Sequence, residues 1–420
     1  MNRVHRRNFL QQIITAPLAA LALPALATDV PVWSNSFDPN DEDYWNAFQK
    51  QFAVPSNKIM LNAANLCPSP WFINEMVAEM QKALGKDVSF QFRAQFAAKR
   101  NQSLEKLATY LGVGKDEIGI VRNTSEANSI LVSGIDLRPG DEVILWDQNH
   151  PSNMATWEQR AKRVGFTVKK VSVPPQPQHE QDLLTSFANA ITPKTRIIAF
   201  SHISNLTGIA LPAKAICDLA RRKNILTLLD GAQSFGALNL NLPELGCDFY
   251  TASTHKWLMG PFENGVLYVR RDQLDRVWPA TIGAGWKDGT KSTDEKLCVL
   301  GQRAEITTVA LPEILDMHLA LGKDVVETRV RKLSSTLRDG IAGKMPSAVF
   351  NSPKAPECNA GIVSVKFAGK PAGDLAQKLY GDYGIAAAAV GDGLRLSPHI
   401  YNTSDDLERV VAALDKLVNT

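Results

Sequence analysis

Two stretches of the sequence decide the fold: Leu228-Leu229-Asp230-Gly231-Ala232-Gln233 and Ser253-Thr254-His255-Lys256-Trp257. An apolar run over 225–229 leads to Asp230, and a second run, Phe249-Tyr250, comes shortly before Lys256. Short apolar runs of this kind are typical of buried strands in a parallel sheet, and open α/β sheets place their ligands at the carboxyl ends of such strands. The sequence therefore predicts that Asp230 and Lys256 emerge from neighbouring strands at one edge of a sheet.

An aspartate and a lysine in this arrangement match the needs of pyridoxal 5′-phosphate (PLP). The lysine amine condenses with the aldehyde of PLP, and the carboxylate holds the pyridine nitrogen protonated, which makes the ring an electron sink. A lysine taken alone is ordinarily a surface residue. The residues around Lys256 favour the cofactor site instead, and they are Asp230, Gln233, Ser253 and His255.

The spacing of these residues resembles that of the class V aminotransferase family of fold type I PLP enzymes, which includes cysteine desulfurases and isopenicillin N epimerase. The resemblance runs from about Asn62 to about Leu417. It implies an α/β fold, PLP-dependent transferase fold type I, with a mostly parallel central sheet, helices on both faces and a smaller α+β C-terminal domain. It also implies a homodimer, because the family builds its site at a subunit interface.

A phosphate site is predicted where Thr124 and Ser125 open a helix after the predicted strand 117–121. The free N–H groups and positive dipole at a helix start attract anions, and the two hydroxyls add donors. An ordinary N-cap is the alternative, since Thr and Ser also favour that position. The strand-to-helix placement and the family resemblance favour phosphate, and the resemblance adds Ser253 and His255 to the same cradle.

The resemblance assigns three further cofactor contacts. His150 matches the histidine that lies flat on the pyridine ring, Asn205 matches the residue beside the 3′-oxygen of the ring, and Gln233 adjusts the ring together with Asp230. Thr308 lies where the family has a Gly-Thr pair that reaches the partner's phosphate, although Thr307 replaces the glycine here.

Arg395 precedes the last predicted helix as the substrate-carboxylate arginine of the family does. A planar guanidinium suits bidentate binding of a carboxylate. A surface salt bridge is the alternative interpretation.

The first 27 residues are predicted to be a twin-arginine signal peptide. Arg6-Arg7-Asn8-Phe9-Leu10 precedes an apolar run and the small-residue site Ala25-Leu26-Ala27. The run spans about fifteen residues and contains two prolines, whereas a membrane-spanning helix needs roughly twenty apolar residues. We therefore expect cleavage after Ala27, no stable membrane anchor and a periplasmic bacterial protein, which can bind PLP before export because this route carries folded proteins.

The remaining chain divides into a large PLP-binding domain over 28–310, which includes an N-terminal segment, and a small domain over 311–420 that opens with one long helix reaching 338. The 46 basic residues fall to 43 without the leader and equal the 43 acidic ones, which argues against nucleic acid as a partner. We expect no metal site. Of the five cysteines, most are expected to be buried. The resemblance implies that the segment with Cys67 lies near the substrate mouth, which leaves a reactive thiol there as an alternative.

The predicted activity is that of an exported PLP enzyme acting at the α-carbon of an amino acid or of a peptide or secondary metabolite that contains one. Amino transfer is favoured because it needs only Lys256, the ring and a carboxylate anchor. The alternatives are an epimerase, a lyase of the cysteine desulfurase kind, and a PLP-binding protein without turnover. A desulfurase needs a cysteine shortly before the arginine, and 385–395 contains none. Some exported relatives suggest siderophore side-chain maturation as a role.

Overall fold

A seven-stranded sheet forms the centre of the computed structural model, which describes residues 37–419. The predicted leader, 1–27, lies outside the described residues. The strands across the sheet are, in order, β2 (Ile118–Val121), β8 (Gly265–Val269), β7 (Phe249–Ser253), β6 (Leu226–Asp230), β5 (Thr195–Ser201), β3 (Glu142–Trp146) and β4 (Thr167–Val171). Four of the six pairings are parallel, and only β8 runs against its neighbours. The predicted mostly parallel sheet is confirmed.

Helices cover both faces of this sheet, as predicted. The helices between residues 37 and 310 are α1 (Glu42–Gln49), α2 (Trp71–Lys86), α3 (Phe90–Leu111), α4 (Thr124–Gly134), α5 (Pro151–Val164), α6 (Glu180–Ala190), α7 (Ala213–Arg222), α8 (Leu242–Leu245), α9 (Thr293–Leu297) and α10 (Glu305–Thr308). Successive residues of a strand point to opposite faces, so Leu228 packs in the core beneath α4 and α5, whereas Leu229 packs in the core with α6 and α7.

The small domain is an antiparallel sheet with helices on one side. Its four strands are β12 (Ala388–Val390), β13 (Gly393–Leu396), β10 (Val363–Lys366) and β9 (Val349–Phe350), in that order. A separate two-stranded pairing joins β1 (Ile59–Met60), from the N-terminal segment, to β11 (Ile385–Ala386). The helices are α13 (Ala372–Tyr383), α14 (Ser404–Asn419) and the second half of α12 (Lys323–Lys344).

The single long helix predicted from 311 is wrong, because the chain forms α11 (Leu311–Leu321) and α12 with a break at Gly322. The φ angle of Gly322 is +87°, a conformation outside the helix that glycine adopts readily. Helix α11 packs in the core of the large sheet, whereas α12 passes from that core at Val330 to the small-domain core at Leu333. The second helix therefore connects the two hydrophobic cores.

Candidate active site

Asp230 is a buried carboxylate at the carboxyl end of β6, with an exposed fraction of 3%. Its Oδ2 atom accepts hydrogen bonds from Nδ2 of Asn128 at 2.9 Å and of Asn153 at 3.4 Å, and Oδ1 accepts one from the Ala232 N–H at 3.1 Å. All of these partners in the described chain are neutral amides. A buried anion is stabilised by an opposite charge, so this carboxylate suits the protonated ring nitrogen of PLP.

The two asparagines that orient Asp230, Asn128 and Asn153, were not predicted from the sequence. Asn128 lies in the second turn of α4 and Asn153 in the first turn of α5, and both helices begin at the carboxyl edge of the sheet. The Oδ1 atom of Asn128 also accepts a hydrogen bond from the Thr251 hydroxyl, at 2.8 Å. In the sequence, only their positions in the helices that follow β2 and β3 indicated that Asn128 and Asn153 lie near the site.

Lys256 follows β7, the strand next to β6, so the predicted pairing of the two groups at one sheet edge is confirmed. The backbone after the lysine is held by two buried histidines. Nε2 of His399 lies 2.6 Å from the Trp257 carbonyl oxygen, and Nε2 of His318 lies 3.1 Å from that of Leu258. A carbonyl only accepts, so each histidine donates through Nε2–H. Burial lowers the pKa of His318 to about 4 and that of His399 to about 3, which keeps both rings neutral.

Gln233 braces the same segment from the other side. Its Oε1 atom accepts a hydrogen bond from Nε1 of Trp257 at 2.8 Å, and its Nε2 group donates to the Ala64 carbonyl at 2.8 Å. Gln233 thus ties the N-terminal segment to the loop that carries Lys256. Its predicted contact with the PLP ring stays a prediction.

The Lys256 amine is adapted to act as a nucleophile. Its pKa is lowered to about 8, chiefly by burial; the Asp230 carboxylate opposes this change, and the positive charge of Arg395 adds to it. An ordinary lysine has a pKa of about 10.4. A larger fraction of Lys256 is therefore neutral near physiological pH, and the neutral amine is the form that attacks an aldehyde.

We expect the PLP-free protein to capture added PLP at a rate that rises with pH and has its midpoint at about 8, because deprotonation of Lys256 limits the reaction. The rate is measured from the visible absorption band of protein-bound PLP at a series of pH values. The Lys256→Ala variant gives the background from other lysines. A midpoint near the ordinary lysine value of about 10.4 would contradict the assignment.

The predicted phosphate end is a set of linked hydroxyls at the start of α4. The Ser253 Oγ atom lies 2.6 Å from the Thr124 hydroxyl and accepts the Thr124 N–H at 2.8 Å. The N-cap is Asn123, whose side chain accepts the Glu126 N–H. The capping alternative for Thr124 and Ser125 is therefore wrong, and Ser125 lies exposed in the first turn.

His150 lies beside this cradle. Its Nδ1 atom is 2.8 Å from the Ser152 hydroxyl, which in turn lies 3.1 Å from the hydroxyl of Ser125. Partial burial of the ring lowers the pKa of His150, and the positive charge of Lys256 adds to this effect. The Asp230 carboxylate raises the pKa of this ring, and the Arg395 guanidinium lowers it.

Arg395 is a buried cation on β13, with an exposed fraction of 5%. Its Nη1 donates to the Asn205 carbonyl oxygen and its Nη2 to Oδ1 of Asn62, both at 2.9 Å. Its Nε has no hydrogen-bond partner in the described chain, and burial lowers the pKa of the guanidinium to about 10. The alternative of a surface salt bridge is wrong, because the side chain is buried and its partners are neutral. A buried guanidinium with a free donor suits a substrate carboxylate.

Three predicted contacts remain predictions. Asn205 meets Arg395 through its backbone oxygen, and its side chain is half-buried. The His255 ring stacks on Phe262 with 5.9 Å between ring centroids, and burial lowers its pKa to about 4. Thr308 is buried, and its hydroxyl donates to Oδ1 of Asn264 in its own chain at 3.0 Å. Donation by this hydroxyl to a partner's phosphate requires that hydrogen bond to break.

Cys67 is not a reactive thiol, although its N–H donates to the His255 carbonyl beside Lys256. The residue is 5% exposed, the Tyr401 hydroxyl lies 3.7 Å from its sulfur, and burial raises the pKa of the thiol. All five cysteines are buried and unpaired. Within residues 37–419 we find no cluster of three His, Cys, Asp or Glu side chains able to hold a metal, and no helix with the length and apolarity of a membrane span.

The sequence is similar to known proteins over nearly its whole length. It is 29% identical over 395 residues to the isopenicillin N epimerase of Amycolatopsis lactamdurans, covering 89% of this chain and 98% of that one. It is 30% identical over 335 residues to a probable cysteine desulfurase of Pseudomonas aeruginosa, covering 74% and 80% of the two chains.

Solved structures show the same fold. The cystine C-S lyase C-DES, in complex with its reaction product cysteine persulfide, superposes with a TM-score of 0.78 at 26% identity, covering 86% of this chain and 98% of that one. A cysteine desulfurase from Escherichia coli superposes with a TM-score of 0.80 at 24% identity, covering 91% and 99%.

The family model for class V aminotransferases matches residues 72–410. This range holds Asp230, Lys256 and Arg395. Together with the shared fold, the match establishes pyridoxal phosphate as the cofactor. The chain belongs to the class V aminotransferase family of PLP-dependent enzymes.

Proposed function

We propose that the protein moves the α-proton of an amino acid, free or within a larger compound, whose carboxylate is bound by Arg395. The observation that carries this proposal is that two buried charged groups, Asp230 and Arg395, have only neutral hydrogen-bond partners in the described chain, and that both influence the pKa of Lys256. Burial of a charged group costs free energy unless a group of opposite charge lies beside it. The protonated ring of PLP would supply the opposite charge for Asp230, and a substrate carboxylate would supply it for Arg395.

The residues have separate tasks in this proposal. PLP, when bound, supplies an electron-accepting ring. Asp230, oriented by Asn128 and Asn153, would stabilise a positive charge on the ring nitrogen. Lys256, with its lowered pKa, takes the α-proton and returns it. The loop held by His318 and His399 fixes where that amine lies.

Amino transfer is the outcome we propose, because it uses only these groups. Persulfide transfer is disfavoured because the hairpin before Arg395 holds no cysteine and Cys67 is buried. With an amino donor and no acceptor, we expect about one keto acid per subunit, followed by renewed turnover when another keto acid is added. Catalytic release of sulfide from cysteine without keto acid formation on other donors would overturn the choice.

Epimerisation is the second candidate, and one observation favours it. The similarity to isopenicillin N epimerase extends over 98% of that protein's length. Epimerisation inverts the α-carbon without net loss of the amino group. Chiral chromatography of the recovered substrate separates this outcome from amino transfer.

We expect Arg395→Gln to raise the half-saturating concentration of alanine by about 10- to 100-fold, because a charged hydrogen-bond partner of the carboxylate is lost. Propylamine has no carboxylate, and its half-saturating concentration should stay unchanged. Removing an uncompensated buried charge should leave the unfolding temperature equal or higher. An equal loss for alanine and propylamine would contradict a carboxylate-binding role.

We further propose that the enzyme is a homodimer exported to the periplasm, with maturation of siderophore side chains as one role. The observation behind the export proposal is the pair Arg6-Arg7 ahead of a short apolar run. Replacing both arginines by lysine should retain the protein in the cytoplasm, as measured by cell fractionation. Undiminished export of this variant would contradict the leader assignment.

A further inference from the structure

We infer that a cleft beside Arg395 binds the far end of the substrate, and that this end is an apolar side chain that terminates in a neutral amide. The inference rests on the proposed function and specifies its substrate class. The cleft lies between the sheet domain and the small domain and has a volume of about 370 Å³. Ligand sites for small molecules commonly have volumes of about 300–1,000 Å³.

Residues that line the cleft are neighbours of Arg395 and of its hydrogen-bond partner Asn205. Leu206 directly follows Asn205, whose carbonyl oxygen accepts a hydrogen bond from Arg395. Val390 lies in the hairpin of β12 and β13, where Ala388 pairs with Arg395. A substrate carboxylate on Arg395 therefore places the side chain of the same molecule within reach of the cleft.

The hairpin of β12 and β13 forms one wall of the cleft. The chain turns tightly at Gly391-Asp392 between β12 and β13, and Gly391 has a positive φ angle of 59°. This stretch is where a sulfur-accepting cysteine would be required for desulfuration, and it carries none. A short hairpin without a functional thiol leaves the space available to the substrate.

The apolar part of the lining indicates an apolar ligand segment. Leu206, Phe350 and Val390 contribute side chains from three separate segments. Burying a methylene group against such a surface favours binding by about 0.8 kcal/mol in transfer measurements. A side chain of three or four methylene groups therefore binds more tightly than the methyl group of alanine.

The polar part of the lining indicates a neutral end group. Asp392 is the only ionisable residue of the lining, and it already accepts hydrogen bonds from Nζ of Lys366 and Nδ2 of Asn351, both at 3.0 Å. The Oε1 atom of Gln148 accepts a hydrogen bond from the Thr207 hydroxyl at 2.7 Å, and its Nε2 group has no hydrogen-bond partner within residues 37–419. An amide carbonyl on the ligand suits these donors, whereas an added charge finds no unpaired counter-charge.

The test compares two probes on the PLP-loaded protein: alanine and Nε-acetyl-lysine. The half-saturating concentration of each is read from the change in the visible absorption of bound PLP, which reports binding without turnover. Wild-type protein should bind Nε-acetyl-lysine at least about tenfold more tightly than alanine. The Val390→Trp variant fills the cleft and should remove this advantage while leaving alanine within about twofold of wild type.

Val349→Trp is the matched control, because Val349 also lies in a strand of the small domain but is 58% exposed and outside the cleft. It should bind both probes as tightly as wild type does.

Equal binding of the two probes by wild type, or equal weakening of both in Val390→Trp, overturns the cleft assignment and leaves the proposed function standing. Tighter binding of lysine than of Nε-acetyl-lysine overturns the neutral end group. Failure of both probes to change the absorption refutes the proposed function and this inference together.

Discussion

Lys256→Ala is expected to lower turnover by at least about 10⁴-fold while the protein stays folded, because the same amine captures PLP and moves the α-proton. The variant keeps Asp230, Asn128, Asn153 and the hydroxyls at the start of α4, so it should still bind PLP without a covalent bond. Its unfolding temperature should be close to that of wild type. Turnover is measured with whichever amino donor the wild type accepts.

Lys214→Ala is the control for this variant. Lys214 is exposed and forms a surface ion pair with Asp218, and such pairs contribute little. The control should keep wild-type turnover. Turnover in Lys256→Ala at the wild-type rate would place the catalytic lysine elsewhere in the chain.

Asp230→Asn should lower turnover on the order of 10²- to 10³-fold, since it removes the negative charge at the ring nitrogen while keeping the shape of the side chain. Asp230→Ala should be at least as damaging, and Asp230→Glu should retain more activity than either because the charge remains. The comparison separates charge from packing. Equal activity in wild type and all three variants would refute the electrostatic role.

Asp248→Asn is the matched control for burial. Asp248 is also a buried carboxylate, but it directly precedes β7 and so lies at the amino end of this strand, away from Asp230. There it binds Arg270 and Thr227. We expect this variant to lose stability and to retain the visible absorption of bound PLP. A loss of that absorption in Asp230→Asn but not in Asp248→Asn ties the effect to the cofactor.

The sheet and the two central charges were predictable because their signals are local. Each apolar run ends in its functional residue within a few positions, so Asp230 and Lys256 mark the ends of β6 and the loop after β7 directly in the sequence. The hydroxyls of Thr124 and Ser125 are similarly marked by the strand before them.

The residues that hold the backbone beside Lys256 were not predictable, because they come from distant parts of the sequence and meet this segment only in the folded chain. His318 and His399 reach the backbone beside Lys256 from α11 and from the segment before α14. Neither has a local pattern that distinguishes it from an ordinary buried histidine. The burial of Cys67 could not be predicted for the same reason, since it depends on Tyr401, far along the chain. The break at Gly322 lies inside a helical pattern that continues on both sides.

Reduction of the PLP-loaded protein with borohydride, followed by proteolysis and mass spectrometry, tests the central claim most directly. Reduction makes the bond between PLP and its lysine permanent, so the modified peptide identifies that lysine without knowledge of the substrate. The account predicts one phosphopyridoxyl group per chain, on Lys256. A modification on any other lysine, or a loaded protein with Lys256 unmodified, would contradict it.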